Sequence, residues 1–205
     1  MMKIFLNDDI EHFDFEAALP LLSEQRREQA LKFKHDLGRK TCAAAYLLLC
    51  EALRSEYGIT ELPIFEYGEH GKPVIAGRPD IHFNLSHCRE AAICAVSDRP
   101  IGVDVESIRE FHDSLVRYTM NDREVEQILQ AERIDVAFIR LWTMKEAVLK
   151  LSGRGIVDDM KHVLDNVSHL NLTTVISPDV RFVYTVASCQ RTDESGTSDH
   201  GRLAQ

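Results

Sequence analysis

Residues 41–53 read TCAAAYLLLCEAL, a stretch apolar around nearly its whole circumference. A surface helix keeps a polar flank at 3.6 residues per turn, and this one keeps almost none, so it predicts a helix at the centre of the fold. Helical character extends from Ser23 to about Glu56. Gly58 ends it, because glycine enters the left-handed conformation at a helix terminus without steric cost. With 205 residues, 44% of them hydrophobic, the chain suffices for one large core or two small halves sharing an interface.

Beyond Gly58 the period shifts from helix to strand. LPIFEYGEHGKPVI (62–75) reads as two short strands around a glycine-rich loop that presents Lys72 at a turn. In IHFNLSH (81–87), Ile81, Phe83 and Leu85 alternate with His82, Asn84 and Ser86, the period of a half-buried strand. AAICAVS and IGVDVES, joined by Asp98-Arg99-Pro100, read as adjacent strands around a turn. Asn121 and Glu124 have the spacing of an N-cap and its third helical position, opening a helix of about ten residues. A second helix runs through 141–152 to a Gly153-Arg154-Gly155 stop, followed by strand-like pieces at His169–Ile176 and Arg181–Cys189. From Arg191 the chain is polar and reads as a disordered tail. Strands and helices mix without strict alternation, so the fold class is α+β.

Charge and cysteine usage narrow the function. A net charge of −9 argues against nucleic-acid or anionic-membrane binding, since phosphate surfaces reward basic residues. Six basic residues between Arg26 and Lys40, against Glu28 and Asp36, form a local exception. It is either a solvated face or a receiver for a phosphate or an acidic partner. Five cysteines without C-x-x-C spacing suit thiols in a reducing cytosol, not a disulfide framework or zinc site. The N-terminal apolar run is too short for a signal-peptide core, and no segment approaches 18 apolar residues, which suggests a cytoplasmic protein.

Candidate chemistry sits in two places. In LWTMKEAVLKLSGRGI (141–156), Trp142, Glu146 and Lys150 stand at i, i+4 and i+8, one row of a helix, with Leu141, Met144, Ala147, Val148 and Leu151 available as the buried stripe. A solvated Glu–Lys pair would explain that helix alone. Asp104 and Glu106, one residue apart on a strand, put two carboxylates on one face, a donor type suited to magnesium. Ser86-His87 lacks the G-x-S-x-G turn of a hydrolase, and Gly153-Arg154-Gly155 is not a Walker loop.

Taken together, GKP (71–73), FNLSHC (83–88), IGVDVE (101–106) and LWTMKEAVLKLSGRGI (141–156) resemble the stand-alone, pseudo-dimeric 4′-phosphopantetheinyl transferases. The basic SEQRREQALKF segment upstream is similar to that family's first helix. The resemblance implies two similar α/β halves related by a pseudo-two-fold axis, residues 1–99 and 100–190, with the active site between them and 191–205 as tail. It implies transfer of the phosphopantetheine arm of coenzyme A to a serine of an apo-carrier protein of fatty acid, polyketide or nonribosomal peptide synthesis, with release of 3′,5′-ADP. Magnesium, or manganese, would be held by Asp104, Glu146 and Glu106. Glu146 and Lys150 would be catalytic. Arg26, Lys72, Pro73, Ser86 and His87 would contact coenzyme A, Lys72 and His87 near its phosphates. Ungapped matching puts Gln29 and Thr41 where the family has a lysine and an arginine, with Arg39 or Lys40 open as the substitute. The implied protein is a cytoplasmic monomer. The competing readings are a non-catalytic homologue that binds coenzyme A or carrier, and another magnesium-dependent phosphohydrolase.

Overall fold

The computed structural model describes residues 2–68, 70–110, 113–153 and 159–190. The expected tail, and Arg154 and Gly155 of the expected helix stop, lie outside the described residues. The chain runs β1 (Met2–Asn7), α1 (Phe15–Ala18), α2 (Glu24–Leu31), α3 (Asp36–Tyr57), β2 (Phe65–Tyr67), β3 (Pro73–Ile75), β4 (His82–His87), β5 (Ala92–Ser97) and β6 (Ile101–Ser107). It continues through α4 (Asp113–Thr119), α5 (Asp122–Leu129), α6 (Ile134–Ser152), β7 (Leu170–Ile176) and β8 (Phe182–Cys189). The architecture is α+β. β1, α1 and α4 are elements that the sequence patterns did not announce.

α3 is the central helix that TCAAAYLLLCEAL predicts. Thr41 to Tyr46, Leu48, Leu49, Ala52 and Leu53 are all buried, and Gly58 closes the helix at φ 67°. Three consecutive alanines, 43–45, let neighbours approach the helix axis closely, and α3 packs on β4, β5 and β1. Those strands form an antiparallel sheet in the order β1-β5-β4. A second antiparallel sheet, β6-β8-β7, carries α6 across β6 and β8.

β5 and β6 are not paired around a turn as expected. They belong to different sheets, and Ile93 and Ala95 instead share one apolar cluster with Ile101, Val103 and Val105. Pro100, which lacks an N–H and restricts the residue before it, stands in the link. The polar face of β4 also departs from the half-buried reading, since Asn84 and Ser86 are buried against β6. Val103 N–H donates to Asn84 Oδ1 at 2.8 Å and Val105 N–H to Ser86 Oγ at 3.3 Å. β6 is an edge strand, and these side chains satisfy backbone donors that an edge leaves open.

α6 is buried on more sides than one apolar stripe provides. Leu141 and Ala147 are buried as expected, but so are Thr143, Lys145 and Leu149, while Met144, Val148 and Leu151 are half-buried. Gly102 explains one contact: a Cβ there would lie 2.0 Å from the Ala147 carbonyl oxygen, so only glycine lets β6 lie this close to α6. Thr143 and Thr174 each hydrogen-bond Thr185, at 2.9 and 2.8 Å, tying the helix to β8 and β7. The expected capping box forms at α5, with Glu124 N–H donating to Asn121 Oδ1 and Asn121 N–H to Glu124 Oε2.

Candidate active site

β4, β6 and α6 converge on a cleft of 370 Å³ lined by Leu85, Ser86, His87, Asp104, Glu106, Trp142, Glu146 and Lys150. The strand period puts Asp104 and Glu106 on one face of β6, and the helical period brings Trp142, Glu146 and Lys150 to meet them. Lys150 Nζ donates to Asp104 Oδ1 at 2.5 Å and to Ser86 Oγ at 2.9 Å, while Ser86 Oγ–H donates to Asp104 Oδ1 at 2.9 Å. Asp104 is 3% exposed, and its second oxygen, Oδ2, is buried with no hydrogen-bond partner among the described residues. Trp142 both walls the cleft and packs against Phe138, their rings 6.2 Å apart.

The electrostatics are those of carboxylates crowded out of water. Desolvation, then the Asp104 charge, pushes Glu106 up to about 7, against the lowering effects of Arg109, Lys150 and a hydrogen bond with Trp142. The same two causes raise Glu146, with Lys150 opposing. At the end of β4, His87 is held below the usual histidine range by desolvation, then by the Lys150 and Arg26 charges.

Three carboxyls and an unsatisfied buried oxygen are the donors a hard divalent cation takes, so Asp104, Glu106 and Glu146 fit a magnesium ion in donor type. Among the described residues, no three acidic, histidine or cysteine side chains are gathered tightly enough to form a ready-made metal cluster. Lys150 occupies one oxygen of Asp104 instead.

Two further pockets share wall residues with this cleft. One, of 330 Å³, shares Leu85, Glu146 and Lys150 and adds His70, Gly71, Lys72 and Pro73. Lys72 borders it but directs its ammonium to the Lys150, Ile101 and Leu151 carbonyls at 2.6, 3.1 and 3.3 Å. It thereby satisfies orphan carbonyls in the last turn of α6. The other, of 420 Å³, shares His87 and is lined by Phe33, Lys34, His35, Leu37, Gly38, Thr41, Cys88 and Arg89, with no carboxylate among the described residues of its wall. Thr41 is there, but Arg39 donates to the Phe33 carbonyl and Lys40 to the Glu11 carbonyl. Arg26 lines none of these spaces: its guanidinium lies 5.2 and 5.4 Å from the centroids of the Tyr46 and Phe65 rings. A cavity of 740 Å³ shares Leu37 and Arg89 with the pocket at His87 and mixes five carboxylates with Lys40, Arg89 and Arg181.

The 4′-phosphopantetheinyl transferase superfamily matches residues 100–194, which carry β6 and α6. Over 187 residues the chain is 31% identical to 4′-phosphopantetheinyl transferase psf-1 of Bacillus pumilus, covering 87% of this chain and 80% of that one. The chain belongs to the 4′-phosphopantetheinyl transferase superfamily. It is also 27% identical to the transferase Sfp of Bacillus subtilis over 156 residues, 75% of this chain and 70% of that one. With the transferase HetI of a Nostoc species it shares 35% identity over 144 residues, 66% and 61% of the two chains.

The motif positions did not reveal three features of this transferase. The signal that could have found Gly102 is a glycine inside a strand pattern. Lys145 and the pocket at His87 carry no sequence signature, since each depends on partners distant in the chain. Among the described residues no helix is long and apolar enough to cross a membrane.

Proposed function

We propose that this chain transfers the 4′-phosphopantetheine arm of coenzyme A to a serine of an apo-carrier protein, in a magnesium-dependent reaction that releases 3′,5′-ADP. The observation that carries this reading is one cleft that brings Lys150 together with Asp104, Glu106 and Glu146 and that shares His87 with a pocket lined by Lys34, His35 and Arg89. The serine oxygen attacks the phosphorus bearing the pantetheine, and the bond from that phosphorus to the departing 3′,5′-ADP oxygen breaks. Glu146 takes the serine proton, directly or through a water. Its raised carboxyl suits proton acceptance near neutrality better than an ordinary glutamate. Lys150, aimed by Ser86 and Asp104, brings positive charge to the phosphoryl oxygens. A magnesium or manganese ion held by Asp104, Glu106 and Glu146 would supply further charge neutralisation at the pyrophosphate.

His87, with Lys34, His35 and Arg89, offers coenzyme A's phosphates a wall whose described residues carry no repelling charge. Arg26 acts on this region through its charge, which also lowers the pKa of His87. Pro73 and the stem of Lys72 border the adjoining pocket and contact the nucleotide. Residues 1–99 and 100–190 act as two halves related by a pseudo-two-fold axis. In support, each contains one long helix on a three-stranded antiparallel sheet: α3 on β1-β5-β4, and α6 on β6-β8-β7. The enzyme acts in the cytoplasm as a monomer on carriers of fatty acid, polyketide or peptide synthesis.

The test is incubation with coenzyme A, magnesium and a panel of apo-carriers, each then weighed by mass spectrometry. Gain of one phosphopantetheine arm with one 3′,5′-ADP released is expected. Release of 3′,5′-ADP without an acceptor would instead indicate a phosphohydrolase.

A further inference from the structure

Lys145 stands one residue before Glu146 on the adjacent row of α6, and its side chain is fully buried. Its three ammonium protons meet three acceptors: Glu124 Oε2 at 2.7 Å, the Met160 carbonyl at 2.7 Å and the Lys161 carbonyl at 3.3 Å. The Lys161 carbonyl also accepts from Asn121 Nδ2 at 3.2 Å, and Glu124 Oε2 from Asn121 N–H at 2.8 Å. The bonds therefore close a ring, Lys145 to Glu124 to Asn121 to Lys161 and back, joining α6, the start of α5 and the 160–161 turn.

A helix in contact with a sheet keeps two freedoms, rotation about its axis and sliding along it. The approach of Gly102 to Ala147 fixes one side of α6. The Lys145 ring fixes another, and the row carrying Trp142, Glu146 and Lys150 faces the cleft between them. A lysine suits the place because three single donors radiate from one atom, whereas the planar fork of arginine would leave donors unmet. We infer that Lys145 is a positioning residue for phosphopantetheinyl transfer: its buried ring with Glu124, Asn121 and Lys161 sets the rotation of α6 that aims Glu146 and Lys150 at Asp104. The inference rests on the transferase reading above.

The test replaces the ion pair with apolar side chains, Lys145→Met together with Glu124→Leu. Such swaps often preserve stability, because they remove the desolvation cost along with the attraction. The ring's directional bonds are lost all the same. The double variant should melt within a few degrees of wild type, bind coenzyme A with little change in KM, and lose kcat by ~10²-fold, the scale of an ångström-sized misplacement. Wild-type kcat in a well-folded double variant would overturn the inference. Should that variant not fold, Asn121→Ser decides, since serine keeps the N-cap acceptor but deletes the donor to Lys161. A several-fold lower kcat at unchanged KM and melting temperature supports the ring, and unchanged kcat overturns it. Absence of transfer by the wild-type protein would be a failure of the transferase reading and not of this inference.

Discussion

Lys145 and Lys150 leave the same helix, and each meets a carboxylate, yet the two pairs differ in what they leave open. The Lys145 ammonium is fully buried with every donor matched, and its partner Glu124 is itself held by a helix cap. Lys150 is 29% exposed, shares one oxygen of Asp104 with Ser86, and leaves the other oxygen without a hydrogen-bond partner among the described residues. A matched buried pair specifies one arrangement of the chain. An unmatched pair in a desolvated cleft stays ready for a ligand, and perturbed carboxyls gather around it. The stretch WTMKEAVLK therefore carries two lysines in different settings, Lys145 with every donor matched and Lys150 beside a carboxylate that keeps one oxygen open.

The largest effect that would break this contrast is at Glu146. Glu146→Gln should lower transfer by ~10²–10³-fold, the scale of losing one group aimed at the transition state. Its melting temperature should hold or rise, because the amide removes a carboxyl whose charged form is disfavoured by desolvation and by Asp104. Initial rates of carrier modification beside a thermal melt check both. Glu124→Ala should show the reverse pattern on the other side of the helix. Leaving Lys145 buried without its carboxylate costs about 3–5 kcal/mol, to be read from denaturant unfolding. A loss no greater than that of an exposed pair, about 0–1 kcal/mol, would erase the distinction.

The smallest effect concerns His87. Its folded-state pKa lies below the ordinary 6.5, so between those two values the unfolded chain binds a proton that the folded protein resists. Stability is therefore retained above pH 6.5 and falls as the pH drops through that window. His87→Gln should flatten this acid limb of the melting profile. An unchanged limb would show that His87 is not the group responsible.

Much of this was legible in the sequence because it rests on local periods. The central helix, the Gly58 stop, the Asn121–Glu124 cap, the β4 and β6 strands, the shared face of Asp104 and Glu106 and the shared row of Glu146 and Lys150 follow from spacings of two or of three to four residues. The meeting of those two sets was implied only by the family resemblance. What stayed hidden depends on partners far apart. Asn84 and Ser86 looked solvent-facing because no local pattern reveals that a second sheet's edge needs their hydrogen bonds. Lys72 was placed near phosphates only by the family resemblance, and nothing near it in sequence shows the end of α6 arriving at its ammonium. The buried side of α6 was drawn with Met144 and Val148 because a lysine is expected outside, and Lys145 is inside only through Glu124 and two carbonyls.

The most direct test of the account is Lys150→Ala, with melting temperature, coenzyme A binding and transfer to an apo-carrier measured on one preparation. Asp104 is buried, so removing the ammonium that faces it should cost stability, at most about 3–5 kcal/mol as for a broken buried pair. Assayed below its melting temperature, the variant should keep coenzyme A affinity near wild type while transfer falls by ~10²-fold or more. A variant that folds, binds coenzyme A and still modifies the carrier at a near-normal rate would contradict the assignment of this cleft.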